Sequence, residues 1–189
     1  IQKPDVGFST NKDSFCGPTA NVVFSNFSTG YQPSYQWDLG NGQQRNQQFI
    51  DTIDYAQNND TDTTYYITLT ATNQCGVVQQ RDSINVFPAP ISRFTMSQDQ
   101  GCSPVKVQFK DSATGLPDTY LWQFASDDTS QRPEPRHVFR TGTSDTTYGI
   151  RQITTNRCGR DTAIDSVTVF PNTIDAIFQV DTTLGCQPL

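Results

Sequence analysis

Apolar and polar residues alternate along several short segments of the chain. In "YYITLTAT" at 65–72, Tyr65, Ile67, Leu69 and Ala71 alternate with more polar residues, which is the pattern of a half-buried β-strand. Three further segments are rich in β-branched or aromatic residues and are bounded by turn residues: "NVVFSNF" at 21–27, "SYQWDL" at 34–39 and "DSINVF" at 82–87. With no helical period in view, the pattern predicts an all-β chain of β-sandwich type.

This series of segments occurs twice and begins a third time. A pattern in which Phe precedes and Pro follows a cysteine recurs about every 85 residues, at Cys16, Cys102 and Cys186. The motif N-x-C-G and the ending V-F-P also occur in both complete copies. We therefore predict three units in a piece of a longer array: a first repeat at 1–88, a second repeat at 89–171, and the first strand of a truncated third repeat at 172–189.

One segment of the second repeat departs from its counterpart in the first. "YGIRQITT" places Gln152 at the position of Leu69 and turns Ile153 to the opposite face of the strand. A β-bulge would restore the register. A more polar core is the alternative, and the sequence leaves both open.

The quoted segments resemble the PKD (polycystic kidney disease) domain. "YQWDLGNG" and "YYITLTATN" are similar to its pattern Y-x-W-D-F-G-D-G followed by Y-x-V-T-L-T-V-T-N, whereas the second repeat keeps "YLW" but continues with "QFASDD", so that its turn must differ. The resemblance implies tandem immunoglobulin-like sandwiches arranged head to tail. It places Trp37 and Trp122 in the cores, the alternative being exposed tryptophans that stack on sugar. Tyr65 and Tyr148 would each fix a corner through the hydroxyl group.

The topology implied by the resemblance bears on the cysteines. Cys16 and Cys102 would lie at the end of each sandwich from which the chain leaves, and Cys75 and Cys158 at the end where it enters. These ends are separated by a strand length of about 20 Å, and a disulfide needs Cα atoms within about 7 Å. We predict a Cys16–Cys158 bond across the repeats, with the partners of Cys75, Cys102 and Cys186 outside the fragment. Bonds within each repeat, Cys16–Cys75 and Cys102–Cys158, are the alternative that sequence spacing alone favours.

Composition narrows the classes of partner. The net charge of −6 argues against nucleic acid, which is bound through clustered Lys and Arg. No apolar run is long enough to insert into a membrane. Cysteines at repeated positions indicate an oxidising compartment, and we expect an extracellular protein of a bacterial cell surface. The chain has no C-x-x-C pair and a single histidine, so that no zinc site and no other cofactor is expected.

The sequence contains no recognisable catalytic set. Glu134 is the only glutamate and His137 the only histidine, and no nucleophile or phosphate-loop motif occurs, so we predict no enzymatic activity. His137 in "PRHVF" is interpreted as a structural histidine in a turn. Two acidic clusters offer oxygen ligands for calcium but lack the spacing of a calcium loop, and we interpret them as solvated turns: Asp127 with Asp128, and Asn59 with Asp60 and Asp62.

Most aspartates are followed directly by Ser or Thr. Where a small aliphatic residue comes next, the triplet resembles the O-glycosylation sequon of Bacteroidetes, which makes five residues candidates: Thr52, Ser83, Ser112, Thr162 and Ser166. The alternative is that Asp-Ser and Asp-Thr occur at turns and strand ends because they form local hydrogen bonds. N-x-[ST] at Asn26 and Asn59 carries little weight without a eukaryotic source.

The added cysteines are similar to repeats in giant surface proteins of Bacteroidetes, among them gliding-motility adhesins exported by type IX secretion. That resemblance implies non-catalytic stalk or spacer repeats of a long cell-surface adhesin or filament, used in gliding or surface attachment. The expected partners are neighbouring repeats of the same chain, with a surface or polysaccharide ligand bound by domains outside the fragment. One alternative is a PKD linker module of a secreted polysaccharide- or protein-degrading enzyme, and another is sugar binding by the repeats themselves.

Overall fold

The protein is described by a computed structural model that covers residues 2–57, 60–125 and 128–173. Residues 174–189 of the predicted third repeat, including Cys186, lie outside the described residues, as do Asn59 and Asp127 of the acidic clusters. All regular structure in the described part is β-strand. None of it forms a helix long and apolar enough to cross a membrane.

Among the described residues, nine strands belong to the first repeat and eight to the second. The strands of the first repeat are β1 Phe8–Thr10, β2 Ser14–Cys16, β3 Thr19–Val22, β4 Phe24–Asn26, β5 Ser34–Asp38, β6 Gln44–Arg45, β7 Ile53–Ala56, β8 Thr63–Asn73 and β9 Gly76–Phe87. Those of the second are β10 Phe94–Met96, β11 Gln100–Cys102, β12 Val105–Asp111, β13 Thr119–Phe124, β14 Asp128–Ser130, β15 Arg136–Phe139, β16 Thr146–Asn156 and β17 Gly159–Phe170.

Each repeat contains a five-stranded sheet with the same strand order. The order is β2-β9-β8-β5-β6 in the first repeat and β11-β17-β16-β13-β14 in the second. The short strand at one edge runs parallel to the last strand of its repeat, which places Cys16 opposite Phe87 and Cys102 opposite Phe170. Both cysteines therefore lie where the chain leaves a repeat.

The second layer differs between the repeats. In the second repeat β12 is continuous and pairs with β10 and β15. The corresponding segment of the first repeat, predicted as one strand at 21–27, is instead divided at Val23. Its first part, β3, pairs with β7, and its second part, β4, pairs with β1. The prediction of one strand was wrong because backbone pairing changes partner at Val23, which apolar alternation does not reveal.

Alternating inward side chains form one hydrophobic cluster between the layers of each repeat. Trp37 and Trp122 lie at the centres of these clusters and are fully buried. Each receives the edge of a phenylalanine ring from the opposite layer. The ring centroids are 5.2 Å apart for Phe8–Trp37 and 5.0 Å apart for Phe94–Trp122. Such edge-to-face pairs add about 0.5–1.5 kcal/mol to the burial of the rings.

The structure settles the departure at Gln152 in favour of a more polar core. The register from β13 to β16 is continuous, with Trp122 opposite Gln152 as Trp37 is opposite Leu69. Gln152 is fully buried and donates a hydrogen bond from Nε2 to Asp111. Its Oε1 and the indole Nε1 of Trp122 are buried without a hydrogen-bond partner among the described residues.

Candidate functional site: the junction between the repeats

The exit end of the first repeat is formed where two strands end side by side. β2 and β9 finish together at Cys16 and Phe87, and the amide of Gly17 donates to the Phe87 carbonyl oxygen at 3.3 Å. Gly17 has φ +103°, a left-handed conformation that glycine adopts without strain. The short parallel strand thus fixes Cys16 beside the start of the link to the second repeat.

The entry end of the second repeat is the tight turn between β16 and β17. The Asn156 side-chain oxygen accepts the Cys158 amide at 2.8 Å, which is an Asx-type bond that stabilises the turn. Asn156 is paired with Gly159 across the turn. Cys158 is consequently held at the tip of the hairpin, pointing away from the core of its own repeat.

A disulfide joins these two ends. Cys16 and Cys158 are bonded at an S–S distance of 2.07 Å, with Cα atoms 5.2 Å apart, within the usual range. The bond links residues separated by 142 positions in the sequence. A simultaneous Cys16–Cys75 bond is excluded by this pairing, so the structure contains the cross-repeat arrangement rather than the pairing within a repeat.

Non-covalent contacts surround the disulfide. The Arg157 guanidinium lies 4.2 Å from the centroid of the Phe87 ring, a cation–π contact between one repeat and the last strand of the other. Sequence reasoning missed this pair. The one available signal was the difference between "NQCG" and "NRCG", in which Gln74 and Arg157 correspond.

The link between the repeats is also fixed by hydrogen bonds. Asn156 Nδ2 donates to the carbonyl oxygens of Pro88 at 2.9 Å and Gly115 at 2.7 Å. Ile91 and Thr114 exchange two backbone hydrogen bonds of 3.0 Å each. Pro88 and Pro90 are buried, and proline limits backbone freedom. The link therefore lies against the second repeat as part of its structure.

Buried polar groups also hold the end of the link, at Ser92, against the second repeat. The Ser92 amide donates to the Asp161 carboxylate at 2.7 Å, and the Ser92 hydroxyl donates to the Asp161 carbonyl oxygen at 2.8 Å. The hydroxyl also lies 2.7 Å from Thr154 Oγ1. Because buried polar groups are costly unless bonded, this network favours one arrangement of the link.

The other ends of the two repeats have the same construction. At the entry end of the first repeat, Asn73 accepts the Cys75 amide at 2.8 Å and donates to the Gln2 carbonyl oxygen at 2.8 Å. At the exit end of the second, the Ser103 amide donates to the Phe170 carbonyl oxygen at 2.8 Å beside an exposed Cys102. Each repeat therefore carries both halves of a junction.

The two tyrosines lie at corners as expected from their positions. The Tyr65 hydroxyl donates to the Ala56 carbonyl oxygen at 2.7 Å, and Tyr148 makes the corresponding bond to Arg140. Tyr55 was not singled out from the sequence. It is fully buried and donates to the Leu39 carbonyl oxygen at 2.8 Å, and burial raises the pKa of its hydroxyl well above the ordinary value.

His137 lies in a strand, and the prediction that it occupies a turn was wrong. It belongs to β15, where it alternates with the buried Phe139, and its ring stacks on Phe124 with centroids 4.5 Å apart. Burial lowers the pKa of His137, while the Asp128 carboxylate 3.6 Å away acts in the opposite direction. The described residues contain no cluster of three or more metal-ligating side chains.

The candidate glycosylation residues are spread over both repeats. Three are exposed and two are half-buried: Thr52, Ser112 and Ser166 in the first group, Ser83 and Thr162 in the second. The amides of Ser83 and Ser166 each donate a hydrogen bond of 2.8 Å to the carboxylate of the preceding aspartate. Local bonding thus accounts for the Asp-Ser pairs at these two sites without a modification.

Replacing Gly115 by alanine is expected to destabilise the second repeat by at least about 2 kcal/mol. A Cβ there would lie 2.0 Å from the Ala89 carbonyl oxygen, and φ is +77°, so the link would have to move. Denaturant unfolding followed by tryptophan fluorescence measures the change. Gly142→Ala is the matched control because nothing lies within 4 Å of its Cβ position. Equal costs for the two variants would contradict the close docking of the link.

No protein-family model and no curated protein matches the chain. Solved structures share its fold. The Ig1–Ig3 ectodomain of mouse nectin-like molecule 4 is similar over 93% of this chain and 67% of its own, at 14% identity and a TM-score of 0.52. The titin I-band fragment I67–I69 is similar over 90% and 66%, at 10% identity and a TM-score of 0.51.

A shorter match is the PKD1 domain of the Vibrio cholerae metalloprotease PrtV. It is 22% identical over 43% of this chain and 98% of its own, with a TM-score of 0.37. From the two longer matches and the sheet order, the protein is an all-β chain of immunoglobulin-like sandwiches.

Proposed function

We propose that the chain is a non-catalytic segment of an extracellular stalk, in which tandem sandwiches hold a binding domain away from a bacterial surface. The observation that carries this proposal is the junction. A disulfide, a cation–π contact and the Asn156 hydrogen bonds all join the exit end of one repeat to the entry end of the next. A spacer of this kind resists bending because its domains are cross-linked as well as connected.

The same construction at both outer ends supports extension of the stalk in both directions. Cys102 occupies the position of Cys16 beside the last strand, and Cys75 occupies the position of Cys158 in its hairpin. In this proposal each of them bonds a cysteine of a neighbouring repeat, and Cys186 does the same further along. The partners of the fragment are then neighbouring repeats, and the surface or polysaccharide ligand is bound elsewhere in the parent protein.

The parent protein in this proposal is a long adhesin or filament, similar to those used for gliding or attachment in Bacteroidetes. The Cys16–Cys158 disulfide supports an extracellular location for it, since such bonds persist in oxidising compartments. No described feature favours a linker of a secreted enzyme over a stalk.

Small-angle X-ray scattering of the oxidised chain tests the proposal. We expect a rod that advances about 35–40 Å per repeat, from strands rising about 3.3 Å per residue plus loops. Addition of a reductant should broaden the distribution of interdomain distances, since only the non-covalent contacts remain. Scattering typical of freely jointed beads under oxidising conditions would refute the stalk.

A further inference from the structure

A cleft opens at one side of the second repeat. It has a volume of about 870 Å³ and lies between β14 and β15, the edge strands of the two layers. Its lining combines Arg132, Arg136 and His137 with Asp128 and Glu134. The stalk function makes no use of this cleft.

The first repeat closes the corresponding opening with its own chain. The connection from β6 to β7, residues 46–52, places Ile50 in the core. Its Gln47 carbonyl oxygen accepts the indole N–H of Trp37 at 3.0 Å, and its Gln48 carbonyl oxygen accepts Asn26 at 2.7 Å. This segment covers the edge of the first repeat and provides a hydrogen-bond acceptor for the indole N–H of the buried Trp37.

In the second repeat the connection from β14 to β15 is shorter, residues 131–135. It contains two prolines, Pro133 and Pro135, and supplies no acceptor to Trp122. The Trp122 indole N–H is fully buried and lacks a hydrogen-bond partner among the described residues. Trp122 is paired across the strands with Ser130, which lines the cleft. The connection at 131–135 therefore does not cover the edge of the second repeat in the way that residues 46–52 cover the edge of the first.

Arg136 is held in position within the cleft. Gln108 is anchored because its Nε2 donates to the Phe109 carbonyl oxygen at 2.9 Å and to the Glu134 and Pro135 carbonyl oxygens at 3.2 Å. Its Oε1 accepts a hydrogen bond from Arg136 Nε. The guanidinium is therefore oriented through Nε, while its two terminal nitrogens remain for another acceptor. Among the described residues the one ion pair is His137–Asp128, so neither Arg136 nor Arg132 forms an ion pair there.

These groups match a ligand with one negative charge and several hydroxyl groups. A guanidinium presents paired N–H donors that fit a carboxylate. The carboxylates of Asp128 and Glu134 accept hydroxyl protons and oppose a second negative charge. A mostly polar lining differs from the apolar pockets that bind drug-like molecules. A peptide strand added to the edge is disfavoured because Arg136, Arg140 and the two prolines protect β15 from further pairing.

We propose that this cleft binds a uronic-acid unit of an acidic polysaccharide, with the sugar carboxylate on Arg136 and Arg132 and its hydroxyls on Asp128 and Glu134. The stalk would then contact polysaccharide along its side through the second repeat, in addition to any binding domain at its tip.

His137 provides a direct readout because it is the only histidine of the chain. The oxidised chain, residues 1–189, is titrated with a tetragalacturonate and the imidazole NMR signals are followed. We expect a saturable shift of these signals in the millimolar range or below. Arg136→Gln should weaken binding at least about tenfold, the loss of a charge-assisted hydrogen bond. Arg45→Gln should leave binding unchanged, since Arg45 lies on the edge strand β6 of the first repeat and bonds only its neighbours Gln43 and Gln44 among described residues.

Four results would overturn the proposal. The first is the absence of a saturable shift with tetragalacturonate. The second is an equal response to a neutral tetrasaccharide, and the third is an equal response to acetate, which would show an adventitious anion only. The fourth is Arg136→Gln binding as well as the parent chain. The thermal unfolding midpoint of each variant verifies that the exposed substitutions leave the fold intact.

Discussion

Replacing both Cys16 and Cys158 by serine is expected to lower the free energy of unfolding of the oxidised chain by up to about 5 kcal/mol. The bond joins residues separated by 142 positions, and it restricts the unfolded chain by closing a loop of that length. This full loss of unfolding free energy is expected when both repeats unfold together. When one repeat unfolds alone, the folded part of the loop already restricts the chain, and a smaller difference is expected.

Guanidinium titration without reductant measures this difference through tryptophan fluorescence, because Trp37 and Trp122 report on the first and second repeat respectively. Cys102→Ser is the matched control. Cys102 occupies the same position in its repeat as Cys16 but is exposed and not in a disulfide, so its replacement should leave the midpoint unchanged. The cross-repeat bond would have no role in stability if the double variant and the control unfolded at the same denaturant concentration.

The junction should persist in a weaker form without its disulfide. The Arg157–Phe87 contact and the Asn156 bonds to the link do not involve sulfur. Exposed contacts of this type contribute about 0.5–1 kcal/mol each, less than the covalent bond. The disulfide therefore limits bending, while the non-covalent contacts set the orientation in which the cysteines meet.

Much of the fold follows from local patterns in the sequence. The alternation in "YYITLTAT" corresponds to β8, whose Ile67, Leu69 and Ala71 are fully buried. The cross-repeat cysteine pair could be anticipated because the implied strand directions place Cys16 and Cys75 at opposite ends of the same sandwich, too far apart to bond each other. Such features depend on the direction of the chain and on the spacing of residues along it, and both can be read from each of the two repeats.

Other features depend on contacts between distant residues. The division at Val23 arises because β3 and β4 pair with different strands. His137 in "PRHVF" was interpreted as a structural histidine in a turn, yet its pairing with Val107 makes it a strand residue. The cleft results from the shorter connection at 131–135 together with the anchoring of Gln108. None of these follows from hydrophobic period or turn composition.

Replacing either buried tryptophan by alanine is expected to cost its repeat about 3–5 kcal/mol. Trp37 and Trp122 are both fully buried, and each is packed against several aromatic rings. The remaining tryptophan in each variant reports on the other repeat. Trp37→Ala should therefore leave the transition seen by Trp122 close to that of the parent chain, and a large loss in both transitions would show that the repeats unfold as one unit.

Phenylalanine substitutions separate the hydrogen bond from the packing. Trp37→Phe removes the 3.0 Å bond from the indole N–H to the Gln47 carbonyl oxygen. Trp122→Phe removes a buried donor that has no partner among the described residues, so the lost ring volume is partly offset by removal of an unsatisfied group. Since a net hydrogen bond contributes about 1 kcal/mol and a buried unpaired donor costs about 1–3 kcal/mol, the two effects add, and Trp37→Phe should be the more destabilising by roughly 2–4 kcal/mol. Far-UV circular dichroism during urea unfolding measures both variants. An equal or larger cost for Trp122→Phe would mean that its indole N–H is hydrogen-bonded in solution.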